Sequence, residues 1–275
     1  MGQLLVEGGE AQRNLERSER MIAEARGRSC EIVVLPEVLD LGWTHPSALE
    51  EARPIPGPAS DSLCESARRH QIWVCAGLTE RAGDKRYNAA LLIDSAGEII
   101  LKYRKINCLA VEQPFYEIGQ SLSVVDTPFG KIGVNICADN YLDGLHIGHA
   151  LARMGAQLIL SPSSWTVDYA VDETQQDPYK EKWIKPYSIL ARLYDLVIVG
   201  ATSVGYIVGG PYEGKKMIGC SLAVDKNGIV AQGKFNEFAG DLVIAEVSIP
   251  DRKERGTLIG EILKKRGYQF DRFPA

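Results

Sequence analysis

Histidine is scarce in this chain: four among 275 residues, and none stands at the end of an apolar, strand-like run. His45 precedes Pro46 in a loop, His70 closes a helical stretch, and His146 and His149 share another. That placement counts against a Cys–His pair, in which an imidazole takes the thiol proton. The six cysteines, Cys30, Cys64, Cys75, Cys108, Cys137 and Cys220, contain no CxxC pair and are far apart, so free thiols are expected. No apolar run approaches the roughly 20 residues of a membrane helix. Met1–Glu7 has neither the charged nor the apolar region of a signal peptide, and Val6 breaks the myristoylation pattern that Met1-Gly2 begins. With 31 Lys and Arg against 36 Asp and Glu, the net charge is −5 and no basic stripe is present. Nucleic acid and membrane are therefore not expected partners, and a cytoplasmic setting is.

Hydrophobic residues make up 45% of the chain, enough for a sizeable core. The apolar spacing of Ala11, Leu15, Ser18, Ile22 and Ala25 predicts a helix over 10–28, followed by a strand at 31–36. A rigid Pro54–Pro58 loop leads into a helix ending at His70, then a buried strand at 72–78. Segments 89–94 and 98–102 flank Ser95-Ala96-Gly97 as a hairpin. Further strands are expected before Cys137 and at 158–160, 196–199, 219–225, 228–232 and 242–247. Helices are expected at 144–154 and near 180–194. Solidly apolar strands alternating with helices are buried on both faces, so a mixed α/β domain with helices outside is predicted.

Three apolar runs each end in a reactive group. Ile32–Pro36 leads into Glu37, Leu101–Arg104 into Lys105, and Ile132–Ile136 into Cys137. Taken singly, each has a bland alternative: a strand-capping surface glutamate, a solvated basic face, and an inert buried cysteine. Together, on one sheet edge, they make a thiol nucleophile with a carboxylate base and an ammonium that stabilises developing negative charge. Pro36 fixes φ and so helps aim Glu37.

Leu35-Pro36-Glu37, Lys102-Tyr103-Arg104-Lys105 and Gly133-Val134-Asn135-Ile136-Cys137 with Asp139 resemble the nitrilase superfamily of carbon–nitrogen hydrolases. The order of the three residues matches, as do their separations of 68 and 32 positions, and the resemblance covers nearly the whole chain. It implies a single domain over 1–275, folded as a four-layer α-β-β-α sandwich that assembles as a homodimer or larger homo-oligomer. It implies that Cys137 attacks an amide, N-carbamoyl or nitrile carbon, that Glu37 serves as general base and acid, and that Lys105 and the Ala138 N–H hold the oxyanion. Glu112 is implied as a second glutamate supporting the lysine, and Trp165 as a pocket wall; local sequence alone allows a loop surface residue and a core side chain. No metal or organic cofactor is implied, and the partner is a small-molecule amide or carbamoyl substrate.

Two departures qualify the match. Many relatives carry an aromatic residue after the cysteine and an arginine soon after; this chain reads Cys137-Ala138-Asp139-Asn140-Tyr141. Absence of Cys-Trp-Glu favours amide or N-carbamoyl substrates over nitriles, and the missing arginine removes a clamp for a substrate carboxylate. Relatives also have a full strand before the residue matching Gln3, so either a stunted first strand or an upstream start is expected. His146-Ile147-Gly148-His149 spells a class I aminoacyl-tRNA synthetase signature but lacks its Rossmann context and partner motif. Acyl transfer to an amine, and a scaffold with a degraded pocket, remain as alternatives. The acidic, tyrosine-bearing stretch 166–182 is expected to shape the substrate entrance.

Overall fold

A computed structural model describes residues 1–167, 178–235, 240–251, 262 and 264–267, with only the backbone of Val167 and residues 178–181 described. Along the chain run β1 (Gly2–Gln3), α1 (Ala11–Gly27), β2 (Ile32–Val34), α2 (Ala48–Glu51), α3 (Pro58–His70), β3 (Trp73–Ala82), β4 (Lys85–Ile93) and β5 (Ile99–Arg104). There follow β6 (Val124–Thr127), β7 (Gly130–Val134), a 3₁₀ turn at Cys137–Asn140, α4 (Leu145–Arg153), β8 (Leu158–Ser163), β9 (Thr166–Val167) and α5 (Pro178–Tyr194). The last elements are β10 (Val197–Thr202), β11 (Val204–Tyr206), β12 (Lys216–Ile218), β13 (Leu222–Asp225), β14 (Gly228–Gln232) and β15 (Asp241–Leu242).

Two sheets dominate, one of four strands in the order β2-β3-β4-β5 and one of six in the order β14-β13-β10-β8-β7-β6. Alternation along the strands of the first sheet explains the layering. Val33, Leu35, Val74, Ala76, Leu91 and Ile93 join Ile22, Leu63 and Ala67 of α1 and α3 in one apolar cluster. Their neighbours Val34, Cys75, Ala90, Leu92, Leu101 and Tyr103 join Ile132, Val134, Leu158 and Leu160 of the second sheet. Helices α4 and α5 pack together and against the second sheet. The result is the expected α-β-β-α sandwich. Among the described residues, no helix is long and apolar enough to cross a membrane.

Several expectations shift in detail. On α1, Ser18, Ile22 and Ala25 are buried as predicted, and Asn14 is buried too because its amide donates to the Glu7 and Asp40 carbonyls at 2.7 and 2.9 Å. Strands β3 and β4 extend around Gly83-Asp84 as a second hairpin, through charged residues that an apolar-run reading misses. The predicted 219–225 strand is broken, because Gly219 and Cys220 take left-handed φ values of 68° and 62°. Of 242–247, only Leu242 is paired as strand, with Gly2 in β1. The stretch Asp168–Asp177, with its acidic residues and Tyr169, lies outside the described residues.

Glu37, Lys105 and Cys137 do not lie on one sheet edge. Strands β2 and β5 belong to the first sheet and β7 to the second, so the three meet across the common rim of two stacked sheets. Periodicity reports which residues are buried but not which sheet a strand joins, and that is why the edge was misassigned. The rim is stitched by backbone: the Glu37 N–H donates to the Ser163 carbonyl at 3.3 Å, linking the end of β2 to the end of β8. At the opposite rim a cavity of ≈ 440 Å³ beside Met1 is lined by Ile32, Val34, Leu158, Leu160 and others and contains none of Glu37, Lys105, Glu112 and Cys137.

Glycine at position 77 lets the chain fold over the site rim. The Gly77 N–H donates to the Pro36 carbonyl at 3.0 Å, its carbonyl accepts from the Leu39 N–H at 2.9 Å, and a Cβ there would lie 2.5 Å from the Glu37 Cα. All three nearest atoms belong to backbone, which cannot step aside as a side chain would. Gly77→Ala is therefore expected to destabilise the fold by about 1–3 kcal/mol, as overpacked cores are. Denaturant unfolding checks this; an unchanged midpoint would show that the 36–39 segment is not pinned on β3.

Candidate active site

Each charged residue arrives by a local device. Antiparallel pairing of β4 with both β3 and β5 leaves β2, β3 and β5 running the same way, so Glu37 and Lys105 leave the sheet at the same rim. Glu37 is then carried over Gly77 towards the middle of that rim. Lys105 is held by its backbone N–H, which donates to the Asn88 carbonyl at 2.8 Å. Glu112 lies in a loop turned back by its own side chain, whose Oε2 accepts from the Leu109 N–H at 2.8 Å. Across the interface, Cys137 opens the 3₁₀ turn with φ 44°, a left-handed conformation that costs a non-glycine residue on the order of 1–3 kcal/mol.

All four side chains are sequestered: Glu37 and Lys105 are 1% exposed, Glu112 0% and Cys137 3%. The Lys105 Nζ donates to Glu37 Oε1 at 2.7 Å and to both Glu112 oxygens at 2.8 and 2.9 Å. Asn88 reinforces the bridge, its Nδ2 donating to Glu37 Oε1 at 2.6 Å and to Glu112 Oε1 at 3.2 Å. Trp43 adds an indole N–H to Glu112 Oε1 at 2.9 Å. Glu112 is thus committed at both oxygens, whereas Glu37 Oε2 is buried and accepts no hydrogen bond. A free buried carboxylate oxygen is an acceptor in want of a proton.

The electrostatics follow from burial and neighbours. Burial raises the proton affinity of Glu37, Lys105 opposes the rise, and Glu112 adds to it. For Lys105, burial works against the charged form but is outweighed by Glu112, Glu37 and Cys137, so the ammonium is retained well above its ordinary range. Burial, then Glu37, pushes the Cys137 thiol well up, opposed by Lys105 and a backbone hydrogen bond from Ser164. The resting site therefore holds a neutral thiol, a base of raised affinity and a fixed cation. Moving the thiol proton onto Glu37 would leave the charge of the cluster unchanged.

Of the residues singled out in the sequence, Glu37, Lys105 and Glu112 are brought into direct contact, and Cys137 and Ala138 sit on the facing turn. Trp165 is 2% exposed, in the same apolar cluster as Cys137, and stacks on Trp183 with ring centroids 4.5 Å apart and planes 10° from parallel. Asn88 and Trp43 also reach the cluster, and the one local sign of either is that Asn88 stands immediately before the apolar run 89–93. Three of the four histidines are engaged elsewhere: His45 with Ser47, His146 with the Asp143 carbonyl and His149 with Tyr194. Among the described residues, no group of three His, Cys, Asp or Glu side chains is gathered as a metal-binding set.

Comparison with known proteins identifies the family and the fold. The family model for carbon–nitrogen hydrolases matches residues 3–255. A protein named nitrilase from Pyrococcus abyssi is 35% identical over 267 residues, covering 95% of this chain and 94% of its own. An omega-amidase from Danio rerio is 30% identical over 164 residues, which is 56% of this chain and 58% of the relative. Among solved structures, a carbon–nitrogen hydrolase from Helicobacter pylori superposes with TM-score 0.79 at 19% identity, covering 96% and 92% of the two chains. A mutant amidase from Nesterenkonia, with acrylamide added at its active-site cysteine, gives TM-score 0.73 at 18% identity, covering 90% and 91%.

Removing the shared cation tests the cluster. Lys105→Met leaves two buried carboxylates without their counter-ion and is expected to cost about 3–5 kcal/mol of stability at pH 8. Glu37 then holds its proton to a pH above that of the unfolded chain. Its contribution is thus fully present at low pH and lost as pH rises through the folded-state value. The deficit of Lys105→Met should shrink near pH 5; urea unfolding at both pH values checks it, and a pH-independent deficit would contradict the shared-cation cluster.

Proposed function

This chain belongs to the carbon–nitrogen hydrolase family of the nitrilase superfamily, and on that footing we propose that it hydrolyses a small amide or N-carbamoyl compound through a thioester on Cys137. The observation that carries the reading is the division of labour between the two carboxylates. Glu112 is bound at both oxygens and fixes Lys105, while Glu37 keeps Oε2 free for a proton.

In this reading Glu37 Oε2 takes the Cys137 proton and the sulfur attacks the substrate carbonyl carbon. The negative charge that leaves Glu37 passes to sulfur and then to the carbonyl oxygen, where Lys105 and the Ala138 N–H receive it. Glu37 returns its proton to the leaving nitrogen, ammonia or an amine departs, and the thioester remains. Water, deprotonated by Glu37, then attacks the thioester, the acid leaves and the thiol is restored. The Trp165–Trp183 stack would offer a flat apolar wall to the acyl group. A homodimer formed through the sheet stack belongs to the same reading.

Nitrile hydrolysis is the second reading, favoured by the name of the Pyrococcus relative. The sequence Cys137-Ala138-Asp139, in place of Cys-Trp-Glu, weighs towards amides.

Intact mass and ammonia release after brief incubation with small amides, N-carbamoyl amines and nitriles separate these readings. An acyl adduct that requires Cys137 is expected from an amide or N-carbamoyl compound. Cys137→Ala should abolish both adduct and ammonia, and Glu37→Gln should lower turnover by about 10²–10⁴-fold, the usual contribution of a general base. Substituting each histidine in turn should leave turnover intact. Activity surviving in Cys137→Ala would overturn the mechanism, and loading by nitriles alone would transfer the assignment to the second reading.

A further inference from the structure

Cys137 and Lys105 follow strands of different sheets, yet a single buried side chain bonds to residues close to both. Asp139 is 0% exposed. Its Oδ2 accepts from the Tyr103 hydroxyl at 2.7 Å and from the Ile136 N–H at 2.9 Å, and its Oδ1 accepts from the Asn107 N–H at 2.8 Å. The Asn107 side-chain amide completes the tie by donating to the Ala138 carbonyl at 2.7 Å. Tyr103 also accepts from the Ile106 N–H at 3.2 Å. Tyr103 and Asn107 stand two residues to either side of Lys105, and Ile136 and Ala138 immediately flank Cys137.

We propose that Asp139, acting through Tyr103 and Asn107, is a positioning residue that sets the separation between the Cys137 sulfur and the Lys105 ammonium. The inference rests on the roles assigned above to Cys137 and Lys105. Sheet-to-sheet packing by apolar side chains fixes a layer spacing but not a register along the rim. Directional hydrogen bonds to one carboxylate fix both. A charged acceptor takes three donors at short distance without a competing donor of its own, which an amide cannot do. The tie also holds the left-handed Cys137 in place. On its other side the turn is anchored by the reciprocal amide pair of Asn135 and Asn140, at 2.8 and 3.0 Å, with Asn140 also donating to the Ser161 hydroxyl at 2.8 Å.

Replacing Asp139 by Asn keeps the shape and places an amide N–H₂ where at least one donor now points. Tyr103→Phe is the milder variant, removing a single hydroxyl. The primary readout is the pH dependence of Cys137 alkylation by iodoacetamide, followed by peptide mapping because the chain has six cysteines. Weaker pairing with Lys105 should raise the midpoint of that curve by about one pH unit in Asp139→Asn and by less in Tyr103→Phe. Hydrolysis of propionamide should lose about 100-fold in kcat in Asp139→Asn with little change in KM, the penalty of a misplacement near 1 Å. Leu63→Ala, on the buried face of α3, serves as a control for loss of stability alone and should leave both readouts unchanged.

Alkylation needs no substrate, so it decides the proposal even where the wild type releases no ammonia from the amide, a result that would count against the functional reading instead. Wild-type alkylation midpoints in both Asp139→Asn and Tyr103→Phe would overturn the positioning role. So would an equal shift in Leu63→Ala.

Discussion

The Lys105 ammonium, buried between Glu37 and Glu112, is the interaction on which the rest of the site depends. A lone ammonium or carboxylate in this interior would shed its charge rather than stay ionised. Three charges and the Asn88 amide within hydrogen-bond reach of one another make the arrangement self-consistent, since each group is the solvation shell of the next. With both carboxylates ionised the cluster carries one net negative charge, and the proposed chemistry consists of moving that charge from Glu37 to sulfur to a substrate oxygen. Lys105 need not move during this sequence. It is preorganised, and preorganisation is what lets a fixed charge favour a transition state without reorganisation.

The fold serves this arrangement by bringing two sheets to a common rim. Mixed pairing in the first sheet delivers Glu37 and Lys105 on the same side, and parallel pairing of β7 with β8 delivers Cys137 opposite them. Gly77 allows the Glu37 segment to cross the sheet end, and the Glu37–Ser163 backbone bond closes the rim. Asp139 and the Asn135–Asn140 pair hold the Cys137 turn from two directions. Polar atoms are spent at the rim, while the interior between the sheets remains apolar.

Much of this was legible in the sequence, and the legible part has a common physical form. Glu37, Lys105 and Cys137 each terminate an apolar run, and a reactive group at such a position is either solvated or functional. Their joint appearance at family spacing is what favours the functional reading proposed for them. A mixed α/β domain with outer helices was legible from solid apolar strands alternating with helices, and the four-layer sandwich only through the family resemblance. Other features depend on contacts between residues distant in sequence, which no local pattern encodes. Asn88 meets Glu37 across 51 positions and Trp43 meets Glu112 across 69. The assignment of the three residues to one sheet edge failed for the same reason, because pairing partners are chosen by the whole fold. Conversely, the break at Gly219–Cys220 escaped because an apolar run with β-forming residues looks continuous until backbone φ is known.

The most direct test of the central claim is a crystal structure of Glu37→Gln loaded with p-nitrophenyl propionate. The leaving group of that ester needs no proton, and removing the base should stall hydrolysis of the acyl-enzyme. The account predicts a thioester on the Cys137 Sγ whose carbonyl oxygen accepts hydrogen bonds from both the Lys105 Nζ and the Ala138 N–H, with Lys105 still held by Glu112. An acyl group on another residue, or a thioester whose oxygen points away from an undisturbed Lys105, would contradict it.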